Sequence, residues 1–577
     1  MLIESTSSLG GAGAAAIQPE VKDLLQGDGV ATHEVINQVP ILQAHVSAAC
    51  DQVLQSALAR EGAAWSAEQV EAFARRCATP EVQDWARLAN RILPELKTHD
   101  RLGHRIDFVE YHPAYHELMK LSFGAGVHSL AWTDTRKGSH VARAALSYIW
   151  NQVENGTACP TGMNYSALPA IAATPGVGPI WAPKITANGY DPRPVPMEEK
   201  QAVTIGMTLT EKQGGSDLRA NTTQARAVSG RGPGEVYELT GHKWFCSAPM
   251  CDAFYTLAQT DKGPTCFLVP RFLPDGRRNR FFIQRLKDKL GNRSNASSEI
   301  EYRRTFAWAM SEEGKGVRAA IDMIHLTRLD FAMGSAGLMR QALTQALHHT
   351  SHRNAFGKRL VDQPLMANVL ADLAVDSEAA TTIAFRLARA ADEGIRGDKK
   401  AALLERIGTS VTKYWNCKRA AGFIHEALEC HGGNGFVEEH VMPRLYREAP
   451  LNSVWEGSGN VIVLDIARVM KREPDAIPVF LDEIGLARGA DRRFDRYFDR
   501  LKDRLSRCGN FELEGRQLVE SLALAFQASM LVRHSTPEVA DAFCASRLDG
   551  DWGRFFGTLP AGIDCKAIVE RARTLPV

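Results

Sequence analysis

The chain has almost no net charge. Its 68 Lys and Arg meet 67 Asp and Glu over 577 residues, a formal balance of +1. No whole-chain field therefore draws in nucleic acid or an acidic membrane surface, and any such site must be a local patch. It also has no CxxC pair: the 11 cysteines are odd in number and scattered. That argues against a zinc site or a disulfide framework and for a reducing compartment, so no metal is expected. No apolar run reaches the roughly 18 residues of a membrane span, and the start lacks the basic, apolar, small-residue order of a secretory signal. Residues 1–40 contain Gly10-Gly-Ala-Gly-Ala-Ala-Ala16, several acids and no arginine. They do not read as a mitochondrial transit peptide; a disordered extension and a cytoplasmic protein without membrane partners are expected. Neither G-x-x-x-x-G-K-[ST] nor G-x-G-x-x-G after a strand is present, so P-loop and Rossmann readings lack support.

What is present is 45% hydrophobic and 23% charged composition, ordinary for a soluble globular enzyme of about three or four domains. From Ile41 to Ala158 apolar residues recur at three and four, as in Val70, Phe73, Ala74 and Cys77, then Trp85, Leu88, Ala89 and Ile92, which predicts helices. Punctuation thickens at Cys159-Pro-Thr-Gly162, Pro175-Gly-Val-Gly-Pro179 and Asp191-Pro-Arg-Pro-Val-Pro196, predicting a crossing into another architecture. Between Val203 and Trp308 the period is near two, with Cys266-Phe-Leu-Val-Pro270, Phe281-Phe-Ile283 and Glu299-Ile-Glu-Tyr302 separated by turns; a small β-barrel or sandwich is expected. Helical spacing returns from Gly316 to about Arg472 through Ile321, Ile324, Leu329, Met333, Leu338, Leu343 and Leu347, then Leu365, Val369, Leu373 and Val375. The expected order is an extension (1–40), an N-terminal helical domain (41–200), a β-barrel (201–312), a helical bundle (313–473) and a C-terminal helical domain (474–577). In the last, Phe494, Tyr497, Phe498, Leu501 and Leu505 share a stripe, while residues 488–507 hold eight basic and four acidic side chains, a local +4. Most such segments are solvated faces of amphipathic helices.

Four stretches can carry chemistry. Glu456, between Trp455 and Gly457, is a carboxylate beside an indole, where desolvation raises a base towards neutral pKa; the same stretch also reads as a helix-entry loop. Gly206-Met-Thr-Leu-Thr-Glu-Lys-Gln-Gly-Gly-Ser-Asp217 offers backbone amides around Gly215 and Ser216 to an anion and Thr210 to a ring heteroatom. Gly241-His-Lys-Trp-Phe-Cys-Ser247 puts aromatics and a hydroxyl together where a flat cofactor could meet them, though Trp244 or Phe245 by itself reads sooner as core. Arg353-Asn-Ala-Phe-Gly357 and His431-Gly-Gly-Asn-Gly435 suit a pyrophosphate and close backbone approach to an adenine, or simply end helices.

Taken in order, T-E-x-x-G-G-S-D, G-x-K-x-F-x-S, R-x-x-F-G, G-G-x-G-F, L-Y-R-E and W-E-G-S-G closely resemble the acyl-CoA dehydrogenase superfamily, from about Asn37 to Lys471. Met207-Thr208 with Thr210 to Asp217, Lys287 to Ser297, Trp455 to Asn460 and the extra C-terminal domain are similar to its bacterial adaptive-response, AidB-type branch. The resemblance implies an α+β, mainly α fold of helical domain, barrel and helical bundle. It implies FAD chemistry, α,β-desaturation of an acyl thioester, with Glu456 as base. Thr210 and Ser247 would bond the flavin ring, Gly215 and Ser216 its phosphates, and Phe245 would stack beside it. Arg353, Phe356, Gly432 and Gly433 would hold the pyrophosphate and adenosine of FAD bound mainly by a neighbouring subunit, with Ser458 and Asn460 completing the site. A homotetramer, a dimer of dimers, follows. Arg328, Trp455 and Arg468 would shape the acyl-CoA cavity. The branch also implies double-stranded DNA as a partner and an alkylation response with vestigial dehydrogenase activity, for which Arg492, Arg493, Arg496, Arg500 and Arg504 are the candidates here. The alternative is a metabolic dehydrogenase of a branched or unusual acyl-CoA that binds no DNA. Residues 476–577 hold 15 basic and 15 acidic side chains, a weak footprint for DNA, and Asp551 stands where a DNA-facing arginine is expected.

Overall fold

The computed structural model describes residues 32–42, 50–550 and 553–573. The start of the expected extension, residues 1–31, lies outside the described residues. Residues 32–42 are described, and Asn37 and Pro40 are hydrogen-bonded to the helical bundle.

The N-terminal part is helical, around α1 (Ser139–Val153), every residue of which is buried. A hairpin, Glu95–His99 paired antiparallel with Arg105–Glu110, interrupts it where the apolar period had suggested helix alone. The punctuation at Cys159-Pro-Thr-Gly162 does not end the helical architecture. It lies inside α2 (Asn155–Ala172), which contains Pro160 and Pro169. Glu154 starts this helix by accepting from the backbone N–H of Gly156 and Thr157 at 3.0 and 2.7 Å. Buried packing on both sides overrides the proline signal, and Gly162 lets the helix approach so closely that a Cβ there would lie 2.7 Å from Asp330 Oδ2.

The barrel comprises β1 (Ile205–Thr208), β2 (Gln224–Ala227), β3 (Val236–Ser247), β4 (Ala253–Thr260), β5 (Gly263–Pro270), β6 (Phe281–Leu286) and β7 (Ser297–Ala309). Strand β5 pairs antiparallel with both β4 and β7, and β7 with β3, β3 with β2 and β2 with β4 complete the ring. Strand β1 joins β4 in parallel and β6 joins β7 antiparallel. A fully buried ion pair, Lys243 Nζ to Glu211 at 2.8 Å, ties the 206–217 loop to β3. Glu211 also accepts from Thr222 and Thr223 N–H. Burial opposes ionisation of Glu211, but the ammonium and these donors hold it down to about 2.

Three long helices, α3 (Gly316–His352), α4 (Pro364–Ile395) and α5 (Lys399–Glu429), form the bundle, followed by α6 (Met442–Asn452) and α7 (Gly459–Arg472). Met333, Leu338, Leu343, Leu347, Leu373 and Val375 are buried as their spacing suggests, whereas Leu365 is 84% exposed. The C-terminal helices include α8 (Arg492–Arg507) and α9 (Phe511–His534). Phe494, Phe498 and Leu501 bury the apolar stripe of α8, each stabilising by about 1.5–3 kcal/mol. This region is fastened to the bundle. Arg547, wholly buried, bonds Asp372 and Asp376 on α4, the second at 2.9 Å. Arg571 pairs with Glu378 at 2.9 Å, and Glu483 joins Arg386 and Arg533 at 2.8 and 3.0 Å.

Candidate active site

Glu456 occupies the turn between α6 and α7. Its backbone is left-handed, φ 54°, an arrangement costing about 1–3 kcal/mol for a non-glycine residue, and Gly457 continues it at φ 104°. Two buried cations hold the turn. Arg328 Nε donates to the Glu456 carbonyl at 2.9 Å while its Nη1 pairs with Asp465 at 2.7 Å. Lys413 Nζ donates to the carbonyls of Trp455 and Gly457 at 2.9 and 2.5 Å. Trp455 is pinned by stacking on Phe331, 4.3 Å between ring centroids, and by its Nε1–H to Asn452 Oδ1 at 3.1 Å.

This leaves the Glu456 carboxylate uncommitted. The residue is half-buried, and no described residue donates a hydrogen bond to its carboxylate. Desolvation by the surrounding protein pushes it up to about 7, against the pull of Arg328 and Lys413. Lys413 itself is pushed down to about 8 by burial. By contrast Asp465, clasped by Arg328 and Arg406, stays well below the usual carboxylate range despite its burial.

The barrel carries the residues expected around a flavin. The buried Cys159 thiol lies within the influence of the Ser247 side chain, Lys289 and Glu456 and is pushed up to about 12 by burial. Thr210 is fixed by its carbonyl, which accepts from Trp244 N–H at 2.8 Å. Gly215 folds over it so tightly that a Cβ would meet Thr210 Oγ1 at 2.5 Å. Ser216 is exposed, Phe245 is 47% exposed, and the Lys287 ammonium lies 4.9 Å from the Phe245 ring. Ser458 precedes α7 without spending its hydroxyl on a cap, and Asn460 Oδ1 accepts from Arg516 at 3.4 Å.

Arg353, Phe356, Gly432 and Gly433 form a second group. His349 and His431 pack ring to ring at 4.8 Å, setting the 353–357 and 432–435 loops side by side. Phe356 is 96% exposed with φ 52°, a strained and bare aromatic; Gly432 and Gly433 have open space around them. This group is separate from Glu456. Sixteen residues of α5 between Lys413 and Glu429 span about 24 Å.

Arg328 and Trp455 converge on Glu456, but Arg468 does not join them. Its side chain is 53% exposed and reaches only Asp465, at 4.0 Å. The five candidate DNA arginines also differ from a free basic face. Arg493 is bound by Asp491 and Asp541, Arg496 by Asp549 at 2.7 Å, Arg500 by the Leu548 carbonyl at 3.1 Å and Arg504 by Gln517; Arg492 is exposed. Lys413, one polar residue on a long helix, has no sequence signal, whereas Glu448, a buried carboxyl pushed up to about 7 by desolvation and by Glu154, closes the L-Y-R-E motif.

The residues present fit a flavin dinucleotide. An unspent hydroxyl, Ser458, follows a carboxylate of near-neutral pKa by two residues, Phe245 on the barrel presents a half-exposed ring, and a cradle too tight for a Cβ closes over Thr210.

Comparison with known proteins agrees. Residues 37–192 match the adaptive response protein AidB N-terminal domain, 206–305 the acyl-CoA dehydrogenase middle domain and 314–471 the acyl-CoA dehydrogenase C-terminal domain. The chain is 42% identical to the putative acyl-CoA dehydrogenase AidB of Escherichia coli over 90% of this chain and 95% of that one. It is 28% identical to acyl-CoA dehydrogenase family member 11 of Caenorhabditis elegans over 70% of this chain and 66% of that one. In fold it is similar to C. elegans ACDH-11 in complex with C11-CoA, TM-score 0.82 at 23% identity, covering 90% and 94% of the two chains. It is similar also to an acyl-CoA dehydrogenase complexed with FAD from Bacillus anthracis, TM-score 0.60 at 16% identity, covering 75% and 80%. The chain therefore belongs to the acyl-CoA dehydrogenase family of FAD-dependent oxidoreductases, and within it to the AidB type.

Proposed function

We propose that the protein desaturates an acyl-CoA at the α and β carbons, with Glu456 as the base that takes the α-proton. The observation that carries this is the Glu456 carboxylate itself: raised to about 7, free of hydrogen bonds, with both neighbouring cations occupied by backbone carbonyls. Bound FAD supplies the acceptor for the β-hydrogen as hydride. Thr210, Ser247 and Phe245 orient the ring, and Gly215, Ser216, Ser458 and Asn460 line the path of its phosphates. Trp455 and Arg328 wall the acyl side. Arg353, Phe356, Gly432 and Gly433 serve the adenosine half of a flavin bound mainly by another subunit; the about 24 Å of α5 that lies between Lys413 and Glu429, and the exposure of Phe356, support a shared site in a homotetramer. Light scattering of the purified protein tests that assembly, and a monomer sinks it. The central test is anaerobic flavin bleaching by a panel of acyl-CoAs that includes the C11-CoA bound by ACDH-11. Bleaching lost in Glu456→Gln supports the reading; a flavin that no acyl-CoA reduces overturns it.

A second reading is duplex-DNA binding and alkylation protection with vestigial dehydrogenase activity, favoured by similarity to the E. coli protein along 90% of the chain and the +4 of residues 488–507. Four of its five arginines are already engaged within the subunit, so Arg492 and assembly must supply the contacts. Salt-sensitive binding to unrelated duplexes supports it, and no binding at low salt removes it.

A further inference from the structure

Residues 37–40 do more than lead into the first domain. Asn37 makes a paired hydrogen bond with the backbone of Asn354: its Nδ2 donates to the Asn354 carbonyl at 2.8 Å, and the Asn354 N–H returns to its Oδ1 at 2.8 Å. The Asn37 carbonyl accepts from Arg353 Nη1 at 2.5 Å, and the Pro40 carbonyl meets His348 Nε2 at 2.8 Å. Asn37 does this from a left-handed backbone, φ 55°, which asparagine tolerates better than most residues. The segment it clasps is a minimal hairpin, Asn354–Ala355 paired with Lys358–Arg359, which must hold Phe356 bare and at positive φ. Two paired residues are a weak scaffold for a strained aromatic. The Asn37 amide acts as a third strand's worth of pairing, supplied from 317 residues away.

We infer that Asn37 is a positioning residue of the cofactor site: it fixes Arg353 and the Arg353–Gly357 hairpin in the conformation that meets the adenosine diphosphate half of FAD. This rests on the assignment of Arg353 and Phe356 to that half. An exposed hairpin that flickers among conformers binds its ligand more weakly in proportion to the population of the competent form, and the clasp removes that loss.

The test is titration of full-length apoprotein with FAD and with FMN, which lacks the adenosine half, followed by flavin fluorescence, for wild type, Asn37→Gly, Asn37→Asp and Arg353→Met. Asn37→Gly keeps the backbone conformation and deletes the paired bonds. It should weaken FAD about tenfold, leave FMN unchanged and shift the apoprotein Tm little. Asn37→Asp keeps the acceptor for Asn354 N–H but turns a carboxylate oxygen towards the Asn354 carbonyl, so it should recover only part of the affinity. Unchanged FAD affinity in Asn37→Gly with Arg353→Met impaired overturns the clasp alone. FAD affinity unchanged in Arg353→Met overturns the underlying site and the clasp with it. Equal losses for FAD and FMN reduce Asn37 to a folding contact and also overturn the inference.

Discussion

Glu456→Gln separates the electrostatics of the site from its chemistry. The Glu456 carboxyl is raised from 4.5 to about 7 because the folded protein desolvates its charged form. At about 1.36 kcal/mol per pKa unit, this corresponds to roughly 3 kcal/mol, or about 2–3 after allowing for the part of the residue that solvent still reaches. The sign follows from the direction of the shift. A carboxyl whose folded pKa lies above its unfolded value binds more protons when folded, so stability falls as pH rises from about 4.5 to about 7 and is level above. Gln carries no such penalty. The stability of Glu456→Gln relative to wild type should therefore improve by about 2–3 kcal/mol between pH 4.5 and pH 8.5, read from urea unfolding of the apoproteins under matched conditions. Glu448 also rises to about 7 but is present in both chains, and its contribution cancels. In the holoenzyme the rate of flavin bleaching by wild type should rise with pH to a plateau above about 7, with the variant slower by about 10²–10⁴-fold. A stability difference independent of pH would refute the claim that desolvation tunes this carboxyl.

Two further outcomes follow from buried charges. Lys413→Met removes a cation that lowers Glu456 and a donor to two carbonyls of its turn, so the midpoint of the bleaching profile should move to higher pH and the rate should fall. Arg547→Leu strands Asp372 in the interior and leaves Asp376 to Arg419 alone, at a cost of about 3–5 kcal/mol. Limited proteolysis should then cut within residues 474–573 at denaturant concentrations that leave wild type intact.

Much of the site is legible in sequence because the motifs are local. Trp455-Glu456-Gly457 is three adjacent residues, and Thr210 and Gly215 share one turn. The barrel is legible too, since short runs such as Cys266-Phe-Leu-Val-Pro270, bounded by turns, each lie within a single strand. What escapes is whatever depends on distant partners. Pro160 and Gly162 read as punctuation, but the approach of Asp330 from α3 explains why helix persists there. The +4 of residues 488–507 reads as available charge until Asp541 and Asp549 close on Arg493 and Arg496. Asn37 reads as part of a disordered extension because its partners lie more than 300 residues away.

The Arg547 clamp bears on how the last hundred residues relate to the rest. Asp372 and Asp376 sit on α4, in the part of the chain shared with the wider family, yet Arg547, supplied by the appended segment, pairs with both and shares Asp376 with Arg419 of α5. The two portions are therefore interdependent in composition: a shortened chain ending near residue 473 would carry two acids facing a newly exposed apolar surface. A graft of the segment onto a relative whose bundle lacks these acids would bury an orphan cation instead. Transplantation between family members would need all three positions moved as a set.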